Sequence, residues 1–406
     1  MCRVLTSLIS LLLCTGAVAA QVRSYDNSLE PSSEAHSLPA ADAIVRAYDK
    51  HALVALGESH GWQEGANFIF SLIRKPTFAS AVNDIVVECG NAKYQPVVDR
   101  YVTGKRVPIT QLRQVWRNMT VLATCDAPIY EQLFHTVRAV NRGLPKSHQL
   151  RVLLGEPPID WGKISKAEDV GPWVEQRDRH YAGVVEREVL AKGRKALLLM
   201  GSYHFLWQGF GDDPALTPST PSPNPSDSNP TVFTTPVPGP KPGQSLSLSD
   251  DAGDNVVQLL EKRHPGSVFV VIPHTGYGDP PAIARLEARL ASWPIPSLAL
   301  IKGTWLGTMD AGPLFAGKMM LITDGKATEV YASPHQGKKL EDLVDAYLYL
   351  GPKDSMTMSL PSSTVLRDKA YLKELNRRSV IMTGQPFDPG GLMPKGKKLH
   401  DSNYSH

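Results

Sequence analysis

The pentapeptide Gly57-Glu58-Ser59-His60-Gly61 can do chemistry in two different ways. As G-x-S-x-G it satisfies the pattern of a nucleophile elbow, where a strained strand-to-helix turn presents a serine hydroxyl, here Ser59, to a carbonyl. As Glu58 and His60 it sets a carboxylate and an imidazole on one short loop. Such a pair activates water when the carboxylate fixes the ring tautomer and stabilises the imidazolium. An elbow follows a central strand and takes an oxyanion N–H from an earlier strand loop, yet no clear strand precedes Leu53. The second reading, with Ser59 as a spacer, is therefore preferred, although later histidines could still complete a triad with Ser59.

More ionisable groups fall where strands are expected to end. Buried strands are predicted at Leu53–Leu56, Ile85–Val87, Val152–Leu154, Ala196–Met200, Val268–Ile272 and Leu298–Ile301, from short runs rich in leucine and β-branched residues. Helices are predicted between most of them, at Trp62–Ile73, Pro128–Asn141, Pro172–Ala191, Asn255–Lys262 and Ile283–Leu290. This alternation predicts an α/β fold, a mostly parallel sheet flanked by helices, as one domain over residues 40–390. Ligands of parallel sheets bind beyond the carboxyl ends of the strands, where loops converge and helix N-termini point inward. The successive exits run into Glu58 and His60, then Glu88, then Glu156 and Asp160, then His204, then His274. A solvated loop carboxylate or a capping histidine is ordinary at any one exit, but their recurrence at successive exits points to a shared polar site.

The helix expected at Pro172–Ala191 carries an apolar stripe of Val174, Tyr181, Val185 and Val189, and Asp178 lies within it. A carboxylate on a buried face needs a partner. Either a neighbouring helix supplies a cation, or Arg177 and Asp178 orient the site. In the hydrolytic reading, His60 activates water and Glu58 or Glu88 fixes its ring. His204 protonates the leaving group or polarises the carbonyl, Arg177 stabilises developing negative charge, and Glu156, Asp160 and His274 contact substrate. Glu58, His60 and His204 also have the donor types of a Zn or Mn site, although no compact H-E-x-x-H signature is present.

Several segments resemble the successive blocks of the erythromycin esterase, ChaN and Tiki superfamily. They are the Gly57–Gly61 pentapeptide, VVECG at Glu88, FHTVRAVNRGLP, QRDRHYAGVVEREVLAKGRKALLLMGSYHF and VVQLLEKRHPGSVFVV. Members pair a Gly-Glu-x-His type motif with a later Gly-x-x-His motif, here Gly201-Ser202-Tyr203-His204. For the esterases the resemblance implies that His60 is a general base on water. For Tiki proteins it implies metal-dependent proteolysis around Gly-x-x-His, and for ChaN it implies haem binding. One residue separates Glu58 from His60 where the esterase pattern has two, a spacing closer to ChaN and Tiki that points away from a macrolide ester. A haem- or metal-binding uptake protein without turnover is thus the alternative class, with Tyr203 and His204 as candidate iron ligands.

The 406-residue chain is 42% hydrophobic, enough for a sizeable core. Its formal net charge is +3, and no basic run is interleaved with aromatics, so a small-molecule or peptide substrate is expected rather than nucleic acid. Residues 1–20 read as a secretory signal peptide: Arg3, an apolar run from Val4 to Leu13, and small residues ahead of cleavage at Ala19 or Ala20. The run is too short for a bilayer span, and a secreted or periplasmic location follows. Cys89 and Cys125 are then left as the remaining pair in an oxidising compartment, either bridged or as two buried thiols. Residues 212–250, dominated by Pro, Ser and Thr, read as a disordered insertion within the domain, and 395–406 as a flexible tail. Asn118 and Asn403 fit glycosylation acceptors.

Overall fold

Side chains alternate between two faces along each strand, and here both faces are apolar, so the sheet has to be covered twice. A computed structural model describes residues 33–207, 253–323 and 326–392. The predicted signal peptide, the 212–250 insertion, the 395–406 tail and Asn403 lie outside the described residues. The strands are β1 (Leu38–Pro39), β2 (Leu53–Glu58), β3 (Asp84–Asn91), β4 (Arg151–Glu156), β5 (Ala196–Gly201), β6 (Val268–Pro273), β7 (Ser297–Leu300), β8 (Gly317–Thr323), β9 (Lys326–Ala332) and β10 (Ala346–Tyr349). Eight form one sheet in the order β1-β7-β10-β6-β2-β5-β3-β4, and β8 and β9 form a separate hairpin. From β10 to β4 every neighbouring pair is parallel, whereas β7 and β1 run antiparallel at one edge. Among the described residues no helix is long and apolar enough to cross a membrane.

Alternation divides the core cleanly. Val54, Leu56, Ile85, Val87, Leu197 and Leu199 face the layer holding the Gln63–Arg74 and Pro128–Arg142 helices. Leu53, Ala55, Val86, Leu198, Met200 and Val270 face the layer holding the Arg177–Glu188, Val256–Arg263 and Pro280–Leu290 helices. The fold is thus the α/β fold with a mostly parallel, helix-flanked sheet read from the sequence, and three local expectations change.

First, the helix expected over Pro172–Ala191 breaks at Gln176 (φ −97°, ψ 5°) into Gly171–Glu175 and Arg177–Glu188. Val174 consequently leaves the Tyr181 stripe and packs with Ile159, Trp161, Ile164 and Val170. The restart puts Arg177 and Asp178 in a first helical turn. Second, a strand does precede Leu53, the two-residue β1 at the far edge, and β2 lies in the interior of the sheet between β6 and β5. The placement of β2 therefore no longer counts against Ser59. Third, β10 enters between β6 and β7.

After β10 the chain returns to the site face. Met358 bridges Trp62, Ser359 N–H donates to the Gly61 carbonyl at 2.7 Å, and Gln63 N–H donates to that of Thr357 at 3.1 Å. Glu64 accepts from the Thr357 N–H (2.9 Å) and hydroxyl (2.7 Å). The Lys369–Thr383 helix follows. It is held by polar bonds: Arg377 to the Trp161 and Ile164 carbonyls, Arg378 to the Arg117 carbonyl and Asn118 Oδ1, and Tyr371 to Asp126. Asn118, in the sequence an acceptor for glycan, is buried, and its Nδ2 donates to Tyr94 Oη and the Gln114 carbonyl.

Candidate active site

β2 delivers Glu58 to the carboxyl end of the sheet, and the turn to the next helix delivers His60. Gly61 adopts φ +83°, a conformation that a side chain would resist, so the chain can fold back there. His60 Nδ1 comes to 2.9 Å from Glu58 Oε1 and 3.1 Å from the Tyr130 hydroxyl. That hydroxyl accepts from Gly61 N–H (3.3 Å) and donates to Glu58 Oε1 (3.4 Å). A carboxylate only accepts, and the hydrogen-bond distance at Nδ1 is the shorter of the two that the ring's nitrogens make to carboxylates, so in the neutral ring the proton is assigned to Nδ1.

Nε2 faces Glu88 Oε2 at 3.6 Å. Glu88 is buried near the end of β3 and is gripped from two directions, by Arg177 Nη2 on Oε1 and by Gly201 N–H on Oε2, both at 2.7 Å. A β-carbon on Gly201 would stand 3.2 Å from His60 Nε2 and 3.4 Å from Glu88 Oε2. Glycine thus lets the end of β5 close onto both groups. Gly57 plays the same part on the neighbouring strand, where a β-carbon would meet Ser202 Oγ at 2.6 Å.

His204 follows β5 and mirrors His60. Its Nδ1 donates to Asp178 Oδ1 at 2.6 Å, and its Nε2 lies 3.6 Å from Glu88 Oε1. The two rings therefore address the two oxygens of one carboxylate. Arg177 also donates through Nε to Glu156 Oε2 at 3.2 Å. Glu156 takes further bonds from the Tyr181 hydroxyl (2.5 Å), the Thr120 N–H (2.8 Å) and the Thr120 hydroxyl. Cys89, next to Glu88, is disulfide-bonded to Cys125 with a Cα separation of 5.7 Å, which ties the segment bearing Thr120 to β3.

Burial disfavours every charge here, and the neighbours overcome it. For His60 burial opposes the imidazolium, but Glu88 and Glu58 hold its pKa above the ordinary histidine value. For His204 burial also opposes, yet Asp178 and Glu88 push the pKa up to about 10. Glu88 suffers the same desolvation, and His60, His204 and Arg177 hold it well below the usual carboxylate range. Burial, with Glu58 and Glu88 adding to it, raises Tyr130 well above the usual phenol value, so it stays protonated. His204 is thus a cation at neutral pH.

Of the expected residues, Glu58, His60, Glu88, Glu156, Arg177, Asp178 and His204 thus stand in one connected network. Asp160 does not join it and pairs with Lys93 at 2.9 Å. His274 lies apart, buried, with Nδ1 at 2.7 Å from the Tyr347 hydroxyl and Nε2 at 2.9 Å from Glu287; it lines a cavity whose wall also includes Glu58. The sequence does not single out Tyr130, Tyr181 or Thr120. Among the described residues Ser59 Oγ is in no hydrogen bond with a histidine, as both edges of the His60 ring face Glu58 and Glu88.

Glu58, His60 and His204, the metal set expected from the sequence, do not form one compact cluster. Among the described residues the one set of three such groups with ligand atoms within 4.8 Å of one another is Glu58, His60 and Cys89, and the Cys89 sulfur is committed to the disulfide. His204 is not part of that set. Tyr203 is exposed, its ring near Phe315.

No family model matches the sequence, and no curated protein matches it. Solved structures with a similar fold include a succinoglycan biosynthesis protein, at 9% identity over 78% of this chain and 94% of that one (TM-score 0.46). They also include a mutant of the erythromycin esterase EreC in its open conformation, at 12% identity over 76% and 92% (TM-score 0.40). ChaN of Campylobacter jejuni with cofacially bound haem matches at 13% identity over 57% and 85% (TM-score 0.31).

Proposed function

We propose that the protein is an exported hydrolase of a carboxylic ester, lactone or amide, with His60 as general base. The observation that carries this reading is the mirrored pair of histidine–carboxylate couples, Glu58–His60 and Asp178–His204, whose Nε2 atoms face opposite oxygens of Glu88 at 3.6 Å each.

Glu58 holds the proton on Nδ1, so neutral His60 offers a lone pair at Nε2 to a water entering from solvent. The water gives its proton to Nε2, and its oxygen forms a bond to the substrate carbonyl carbon. The carbonyl oxygen becomes an oxyanion, which the His204 imidazolium meets as a fixed positive charge. When the bond to the leaving group breaks, His60 returns that proton to the departing oxygen or nitrogen. Glu88 stabilises whichever ring is cationic. Arg177, engaged by Glu88, Glu156 and Tyr181, is best assigned to holding Glu88 in place.

The pH dependence follows in sign. His60 has to be neutral to act, and its raised pKa puts the rising limb of kcat/KM above the ordinary histidine range. His204 has to be charged, which puts the falling limb near pH 10. A panel of chromogenic esters and lactones on the purified mature protein tests the reading. Turnover that vanishes in His60→Ala supports it. Absence of turnover together with a Soret band on haem titration would replace it with the binding class.

A further inference from the structure

Cys89 follows Glu88 along β3, and its sulfur lies beside the proposed base without a part in the reaction. Ligand atoms of Glu58, His60 and Cys89 all lie within 4.8 Å of one another, and Glu58 Oε1 is already 2.9 Å from His60 Nδ1. Glu58 and Cys89 also line one cavity, so carboxylate and sulfur open onto the same space. Cys125, the other half of the bridge, is not part of that group. We propose that Glu58, His60 and Cys89 form a site for zinc or a similar thiophilic divalent cation, and that the Cys89–Cys125 disulfide keeps this site shut.

The proposal goes beyond the hydrolytic reading and needs none of its steps. The donor set selects the ion: one thiolate, one imidazole and one carboxylate are ligand types of zinc, whereas magnesium and calcium take oxygen ligands. Bonds of about 2.0 to 2.3 Å put the ligands of a tetrahedral zinc roughly 3.3 to 3.8 Å apart, within a small side-chain rotation of the separations here. In the bridged chain the sulfur has no thiolate to offer. A dithiol reductant opens the bridge by two exchanges. Its first thiolate bonds to one cysteine sulfur and expels the other, and its second displaces the remaining cysteine, so the reductant leaves as a disulfide and the chain keeps two thiols. The cation then takes Cys89 as thiolate, and the thiol proton goes to water. Occupancy removes the base whichever ring nitrogen is taken. At Nε2 the ion uses the lone pair, and at Nδ1 it moves the ring proton to Nε2. The same residues thus serve hydrolysis in the oxidised chain and hold metal in the reduced one.

Removing either cysteine breaks the bridge, but the two variants leave different sulfurs. Cys125→Ala frees the Cys89 thiol without a reductant, whereas Cys89→Ala frees that of Cys125, outside the group. Cobalt(II) titration of the mature protein reads the site directly, because a thiolate ligand gives a near-ultraviolet charge-transfer band. Cys125→Ala should show that band with a stoichiometric end point and lose it to added zinc. The bridged chain and Cys89→Ala should show none, and His60→Ala built on Cys125→Ala should lose it. Wild-type chain reduced with dithiothreitol and desalted should behave as Cys125→Ala does, which keeps the test open where that variant fails to fold. Equal bands from the two cysteine variants, or a band that survives His60→Ala, would overturn the site, and a band in the bridged chain would overturn the gate. Ester turnover that persists in Cys125→Ala with zinc bound would overturn the loss of the base. The predicted cobalt bands without turnover in any form would keep the site and remove the hydrolase.

Discussion

The two histidine–carboxylate couples around Glu88 use the same groups, yet the chain supplies them differently. His60 takes its carboxylate from two residues away on its own strand exit, whereas His204 takes Asp178 from a separate helix, 26 residues back. His60 is the more exposed of the two rings, with about a third of its side chain open against 18% for His204. The long-range couple holds its proton to about pH 10. One arrangement thus gives a base that can be neutral and the other a cation that stays charged, which is the division of labour that hydrolysis needs.

The largest expected effect tests the base. His60→Ala should lower kcat by about a hundredfold to ten-thousandfold with Tm little changed, read from ester turnover. Equal loss from His204→Ala alone, with His60→Ala still active, would exchange the roles. Next comes the shared carboxylate. Glu88→Gln takes from Arg177 and both rings the one buried carboxylate they share, leaving them Glu156, Glu58 and Asp178, and should cost about 3 kcal/mol of stability, measured by urea unfolding. A smaller and more selective change is Asp178→Asn, which removes one charge-assisted bond and should cost on the order of tenfold in kcat. Its signature is in pH. The His204 pKa is raised above its unfolded value near 6.5, so its contribution to stability is complete below that value and lost as pH rises through about 10. Asp178→Asn should move that loss, and the falling limb of kcat/KM, to lower pH. The smallest effect is expected for Ser59→Ala, within about twofold of the parent. Covalent labelling of Ser59 with parallel loss of activity would restore the elbow.

Much of this is legible in the sequence because the residues obey local rules. Each predicted strand of the parallel set is found within a few residues of its expected bounds, since a run buried on both faces announces itself by composition. Glu58, His60, Glu88 and His204 stand out because strand exits in a parallel sheet converge. Asp178 stands out as a carboxylate lacking a partner, and His204 is that partner. What escapes is what depends on distant chain. Tyr130 and Tyr181 sit in apolar stripes and so read as core, although a buried phenol has to find a polar partner. β10 is a four-residue run whose place between β6 and β7 nothing local specifies. The Lys369–Thr383 helix has no strong apolar stripe because its arginines anchor it to backbone carbonyls instead.

The cover that Thr357 and its neighbours lay over the Gly61–Glu64 turn bears on when the protein begins to work. Glu64 and Thr357 are 293 positions apart, so a chain emerging from the ribosome or crossing a membrane holds every ionisable group of the site long before it holds their cover. Contacts that close such long loops form late. The finished environment of Glu58 and His60 therefore belongs to the completed chain alone.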